Sequence, residues 1–260
     1  MSFRWQESSA IEVDHQYSPS QHALQPFPEY LEEYRRLSEG HDLALLSRPG
    51  QPLLIYIHGG YWQRLSAADS FFNAADAVAE GVSLHAVEYT LAPHATIEQI
   101  VAECIADVVS IVEKLQPTSV VLAGCSAGAH LSAMCARIPA IASRLDGLVL
   151  LSGIYDLRPL VVTPTNDPLH LTEESAKVLS PQLLPPAQAM SSALCAVGQA
   201  ESSEFIRQNA EYAEYLSNAG TPTDVMVVDN RDHFNLPYDL LRRGTVVGDW
   251  TLHHLGTKAS

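Results

Sequence analysis

Short apolar runs alternate with longer amphipathic ones along most of the chain. The short runs at 53–57, 82–88, 119–123, 148–151, 193–197 and 223–228 are dominated by Val, Leu, Ile and Ala. They read as strands buried on both faces. The stretches between them carry helical spacing and helical punctuation. Residues 66–80 end at Gly81, 96–115 open on Thr96 and stop before Pro117, 129–137 stop before Pro139, and 203–219 have Gly220 behind them. A further helix is predicted over 28–37, with Pro28 near its start, Tyr30, Leu31, Tyr34 and Leu37 on one face, and Gly40 as its stop. This alternation predicts an α/β fold: a mostly parallel central sheet with helices on both faces.

Some segments stand outside the alternation. Residues 1–25 are polar and irregular, with a turn at Tyr17-Ser18-Pro19-Ser20, and 42–46 read as a short edge strand. Residues 153–190 are rich in Pro, Thr and Leu, with one short helix over 172–179. A long excursion of this kind usually carries function. The N-terminus and the 153–190 excursion are expected to form a small cap. A loop at 229–235 and a helical tail close the chain. With no internal repeat or linker, residues 1–260 parse as one domain.

Composition narrows the class. The 260 residues are 47% hydrophobic, ample for one large core. Fifteen basic against 30 acidic residues give a formal charge of −15, which argues against nucleic acid or an anionic membrane as partner. Cys104, Cys125, Cys135 and Cys195 form no C-x-x-C pair and sit in apolar contexts, so they read as free buried thiols. The 11 histidines show no H-E-x-x-H spacing, so neither a metal nor a cofactor is expected. Residues 1–7 lack an apolar h-region, and no apolar run reaches the roughly 18 residues of a membrane span. The expectation is an acidic cytoplasmic protein.

The candidate chemistry centres on Gly124-Cys125-Ser126-Ala127-Gly128, a G-x-S-x-G nucleophile elbow between a predicted strand and a predicted helix. Such a turn strains the serine and requires small neighbours at Gly124 and Gly128. A serine hydroxyl is a weak nucleophile and needs an adjacent base. His233 is the candidate, in the loop Asn230-Arg231-Asp232-His233-Phe234 after the last strand. His253 and His254 fall in the terminal helix, and His94 and His170 fit the order of such sites less well. The candidate acid is Glu201, which follows the strand at 193–197, with Asp156 after the preceding strand as the alternative. Glu204 is assigned to the start of the following helix, and Asp229 and Asp232 to the shape of the histidine loop. His58-Gly59-Gly60-Tyr61-Trp62 follows the first strand, where an oxyanion loop belongs. Its backbone at Gly59, Gly60 and Tyr61, with the N–H of Ala127, is the candidate oxyanion hole. His58 is assigned to holding this loop rather than to proton transfer.

These motifs together resemble the kynurenine formamidase (arylformamidase) branch of the α/β-hydrolases. The resemblance extends through Tyr89-Thr90-Leu91-Ala92-Pro93, Ser152-Gly153-Ile154-Tyr155-Asp156-Leu157-Arg158-Pro159-Leu160, the Gly198–Gln208 region numbered 198–208, His233-Phe234 and the early Tyr17-Ser18-Pro19. It covers most of residues 15–236. Cys125 departs from it, standing where many members carry histidine, and 40–52 is short. The resemblance implies an α/β-hydrolase fold, a triad of Ser126, His233 and Glu201, and hydrolysis of N-formyl-L-kynurenine through a formyl-serine. Formyl is the smallest acyl group, so the acyl side can be tight while aromatic side chains hold the ring. Trp62, Tyr155 and Phe234, with Tyr61, are the candidates for that wall. An esterase or amidase acting on another small aryl compound is the alternative, since the same triad serves both. Nothing in the sequence decides between a monomer and a homodimer.

Overall fold

A computed structural model describes residues 3–257. In chain order the helices and strands are α1 (Ala10–Gln16), α2 (Phe27–Ser38), β1 (Leu53–Ile57), α3 (Ala74–Glu80), β2 (Ser83–Val87), α4 (Ile97–Leu115), β3 (Val120–Cys125), α5 (Ala127–Cys135), α6 (Pro139–Ala142), β4 (Gly147–Leu151), α7 (Glu173–Val178), β5 (Ala193–Gly198), α8 (Ser203–Asn218), β6 (Thr223–Val228) and α9 (Val246–His254). The strands form one six-stranded sheet, parallel throughout, in the order β2-β1-β3-β4-β5-β6.

Alternate residues of β1, β3, β4 and β5 enter opposite cores. Leu53, Ile55 and Ile57 of β1 join Leu122, Leu148 and Cys195 under α4, α5 and α8, whose Ile100, Leu131 and Phe205 cover them. Leu54 and Tyr56 join Val121, Val149 and Leu194 against Tyr34 of α2, Ala77 of α3 and Leu252 of α9. Two covered faces explain why the strands read as continuous apolar runs rather than alternating ones. Among the described strands, only β6, at one edge of the sheet, leaves large apolar side chains in water, at Val225 and Val227.

From β1 the chain runs outward to β2, then returns to β3 on the other side. The direction of winding reverses there, which opens a crevice at the carboxyl ends of β1 and β3. Because every strand is parallel, the loops that follow β1, β3, β5 and β6 all gather at that end. Those loops carry the residues singled out above.

Local capping follows the sequence closely. Thr96 and Gln99 form a reciprocal capping box on α4, and Thr172 and Ser175 one on α7. Gly81 closes α3 in the left-handed region, φ 69°. Three expectations need correcting. Residues 42–46 are a turn and not a strand: the Asp42 carboxylate accepts from the Ala44 N–H at 2.9 Å, a local bond that competes with sheet pairing. The helix expected over 66–80 is split into a 3-10 turn at Ala67–Ser70 and α3. At the break the Phe71 N–H is taken by the Ser38 hydroxyl, and Asn73 donates to the Tyr238 carbonyl. Residues 1–25 are not irregular throughout: α1 forms there, closed by a capping box between Ser9 and Glu12.

The cap has two parts. Helix α1 packs against the 3-10 turn at Arg158–Val162, the opening of the long excursion. Among the described residues, no helix is long and apolar enough to cross a membrane. All four cysteines are buried and unpaired.

Candidate active site

Ser126 sits between β3 and α5 with φ 58° and ψ −122°, a conformation strained for any residue but glycine. It is held there because its N–H donates to the Leu151 carbonyl of β4 at 2.8 Å. A Cβ on Gly124 would lie 2.2 Å from the Gly128 carbonyl oxygen, and one on Gly128 would lie 2.0 Å from that of Ile57. Both positions therefore admit only glycine, as the elbow pattern requires. Ala127 opens α5, so its N–H is one of the helix's orphan donors.

His233 lies in the loop after β6, and its Nδ1 is 2.7 Å from Glu201 Oε2, both side chains being buried. The other carboxylate oxygen of Glu201 accepts from the Ser152 hydroxyl at 2.5 Å and from the Gly198 N–H at 2.8 Å. With a carboxylate fixed on Nδ1, that nitrogen carries the proton and Nε2 is left as the acceptor. The imidazole is held edge-on against Phe205, ring centroids 4.8 Å apart. Its loop is braced by the buried Asp232. One Asp232 oxygen accepts from the N–H groups of Phe234 and Asn235, at 2.9 and 3.0 Å. The other accepts from the Tyr30 hydroxyl and the Leu24 N–H, both at 2.6 Å. The N-terminal segment thereby grips the loop that carries His233.

The other acidic and imidazole candidates are engaged elsewhere. Asp156 forms a two-point ion pair with Arg158, at 2.8 and 3.0 Å. Glu204 is bonded by Arg207 and by the Tyr17 hydroxyl. His254 stacks on Trp250 within α9.

The loop after β1 lies directly against the elbow. A Cβ on Gly59 would meet the Cys125 carbonyl oxygen at 2.8 Å and Ser126 Cβ at 3.2 Å. Gly60 has φ 95°, and Tyr61, Trp62 and Leu65 follow at 54°, 60° and 69°. A run of left-handed non-glycine residues is costly, about 1–3 kcal/mol each, and persists only where the surroundings enforce it. Here the Tyr61 hydroxyl donates to the Tyr17 carbonyl, and Gln63 donates to that of Thr165 at 2.9 Å. Tyr89 donates to the carbonyls of His58 and Gly59, and stacks on the His58 ring. Among the described residues, the N–H groups of Gly60 and Tyr61 have no backbone acceptor. His58 bonds the Gly59 carbonyl through Nδ1 at 3.0 Å, and burial lowers its pKa, so it serves as a neutral strut.

Ser126, His233, Gly59, Gly60 and Tyr61 all face one cavity of about 340 Å³. Its wall is aromatic: Tyr17, Phe27, Tyr34, Tyr56 and Phe234 join Tyr61. Burial raises the pKa of Tyr17, Tyr34 and Tyr56 well above the usual phenol range, so they remain neutral hydroxyls. Phe234 is the one expected wall residue outside the loop that reaches the cavity. Trp62 and Tyr155 do not line it. Trp62 is fully buried with its indole edge-on to His130, and Tyr155 is stacked on Tyr212 at 4.0 Å in the core. Sequence reasoning missed Ser152 and the wall formed by Tyr17, Phe27, Tyr34 and Tyr56. The aromatic face of α2 was the available signal for Tyr34.

Comparison with known proteins follows the same lines. A family profile described as the α/β hydrolase fold matches residues 54–236. A kynurenine formamidase of Salmo salar is 35% identical, covering 97% of this chain and 97% of its own length. One of Danio rerio is 37% identical over 81% of this chain and 75% of its own. Among solved structures, a candidate thioesterase from Silicibacter superposes with a TM-score of 0.79 at 23% identity, covering 92% of this chain and 98% of that one.

Proposed function

The chain belongs to the α/β-hydrolase fold family and, within it, to the kynurenine formamidases, and from that premise we infer that it cleaves the formamide of N-formyl-L-kynurenine, or a closely related aryl formamide, to formate and the free aryl amine. The observation that carries this reading at the site is the 2.7 Å contact between Glu201 and His233 Nδ1, in a cavity shared with Ser126.

The mechanism is acyl transfer through a covalent intermediate. His233 Nε2 takes the proton of Ser126 as Oγ attacks the formyl carbon. Glu201 holds the imidazole tautomer and stabilises the imidazolium that forms. The carbonyl oxygen becomes an oxyanion beside the free N–H groups of Gly60 and Tyr61 and the helix-start N–H of Ala127. Each such donor is worth about 3–4 kcal/mol in the transition state. His233 then gives its proton to the aryl nitrogen as the C–N bond breaks and the amine leaves. Water, deprotonated by His233, attacks the formyl-serine, and formate departs as Ser126 regains its proton. The formyl group needs little space at the elbow, while the aromatic wall offers stacking surface to the ring. No cofactor enters these steps. Free buried thiols and an acidic surface suit a reducing, cytoplasmic setting.

The test is a comparison of kcat/KM for N-formyl-L-kynurenine with that for a series of p-nitrophenyl acyl esters, with Ser126→Ala as control. A formamide value about a hundredfold above the best ester is expected, both being lost in Ser126→Ala. A strong ester rate with negligible formamide turnover would move the reading to esterase, on the same site.

A further inference from the structure

The substrate class deduced above is an aryl formamide with an amino-acid tail, and that tail ends in a carboxylate. That tail also carries an α-ammonium, so the substrate is a zwitterion, and an acidic protein of formal charge −15 needs a local cation to bind the carboxylate end. Among the described residues, no Asp or Glu lines the cavity, and Arg64 is its one Lys or Arg. Among the described residues, Arg64 has neither a hydrogen-bond nor an ion-pair partner. The cavity therefore carries one unneutralised guanidinium beside an aromatic wall.

The position of Arg64 is set by the strained loop rather than left to chance. A Cβ on Gly60 would lie 2.3 Å from the Arg64 carbonyl oxygen and 3.2 Å from Arg64 Cβ, so the chain at Arg64 folds back onto Gly60. The Gln63 N–H donates to the Gly60 carbonyl at 3.0 Å, which closes that turn. Gln63 is also tied to the excursion through the Thr165 carbonyl, and Tyr61 to the Tyr17 carbonyl. Leu65, at φ 69°, fixes the other side. The backbone on both sides of Arg64 is thus pinned while its own head group is unengaged. A guanidinium presents paired donors that match a carboxylate.

We propose that Arg64 is a specificity-determining residue that binds the α-carboxylate of the substrate, so that the same loop meets the formyl oxygen with its backbone and the amino-acid tail with its side chain. This inference rests on the formamidase reading. In N-formyl-L-kynurenine the tail leaves the ring ortho to the formamide. A ring held by the aromatic wall, with its formyl group at Ser126, keeps the tail in the same cavity, whose lining includes Arg64. Arg64 does not touch the reacting atoms, and its contribution is to binding.

The experiment compares N-formyl-L-kynurenine with 2′-formamidoacetophenone, the same aryl formamide without the amino-acid tail, in wild type, Arg64→Met and Arg64→Lys. The ratio of kcat/KM for the two substrates is expected to fall about 10- to 100-fold in Arg64→Met, as for loss of a charge-assisted hydrogen bond, through a higher KM for the tailed substrate. Arg64→Lys is expected to restore part of the ratio. A ratio unchanged in Arg64→Met would overturn the proposal even if both rates fell together, because that pattern marks loop damage rather than tail recognition. A wild type that cleaves p-nitrophenyl acetate but neither formamide would overturn the formamidase reading itself. The two failures are therefore told apart by the wild-type rates alone.

Discussion

The Ser152 hydroxyl donates to Glu201 Oε1 at 2.5 Å, from a residue whose own backbone is left-handed, φ 50°. Ser152 follows β4 directly, and its N–H donates to the Ala196 carbonyl of β5 at 2.8 Å. Sheet geometry thus presses a hydroxyl under the far side of the carboxylate whose near side holds His233. In Ser152→Ala a buried, charged acceptor loses one donor, which costs about 1.5–3 kcal/mol. Part of that cost is expected in orientation of the histidine. We expect kcat to fall about tenfold with KM little changed, measured beside circular dichroism to verify the fold. A wild-type kcat in Ser152→Ala would show that the Gly198 N–H alone suffices to place Glu201.

Glu201 and Asp156 were both credible acids in the sequence, and they make opposite predictions. Asp156 is committed to Arg158, while Glu201 meets the imidazole. Glu201→Gln is expected to lower kcat by about a thousandfold or more, because an amide can impose the wrong tautomer on the histidine. Asp156→Asn is expected to retain kcat within about tenfold and to act on stability, through the lost ion pair. Steady-state kinetics on both variants decides the matter, and a larger loss in Asp156→Asn than in Glu201→Gln would reverse the assignment.

Legibility of the chain depended on how far apart the determining contacts lie. The strands were readable because both faces of the sheet are covered, so each is a bare apolar run with punctuation beside it. Gly124 and Gly128 were readable because the constraint that demands glycine is local to the elbow. Trp62 was misplaced for the opposite reason. Tyr61 and Trp62 are adjacent and both left-handed, and this twist sends the first ring toward the cavity and the second into the core beside His130. No spacing rule encodes that. Tyr155 turns back so that its hydroxyl fills the space a side chain at Gly153 would need. The Asp42 turn was missed because a carboxylate bonding two residues ahead outweighed strand-like composition. Ser152 was invisible because its partner, Glu201, is distant in sequence, and the tie from Asp232 to Tyr30 was invisible for the same reason.

His130 links the site's scaffold to pH. It lies wholly buried in α5, one turn beyond Ser126, with Nε2 donating to the Leu179 carbonyl at 2.8 Å and the ring edge-on to Trp62. Burial lowers its pKa from 6.5 to about 4, so the folded protein holds it neutral. The unfolded chain, by contrast, protonates it as pH falls through 6.5. Stability from this group is therefore complete above 6.5, falls as pH drops, and stops falling below about 4, where the folded form also takes the proton. The shift corresponds to about 3 kcal/mol in total and about 2 kcal/mol by pH 5. His58, also lowered by burial, adds in the same direction. His130→Gln keeps an N–H for Leu179 but removes the titration. Urea denaturation at pH 7 and pH 5 should show the wild type losing about 2 kcal/mol more than the variant over that interval. Parallel losses in the two proteins would mean that the imidazole finds a proton acceptor or water in the folded state, and that the contact between α5 and Leu179 is not the acid-sensitive point of the fold.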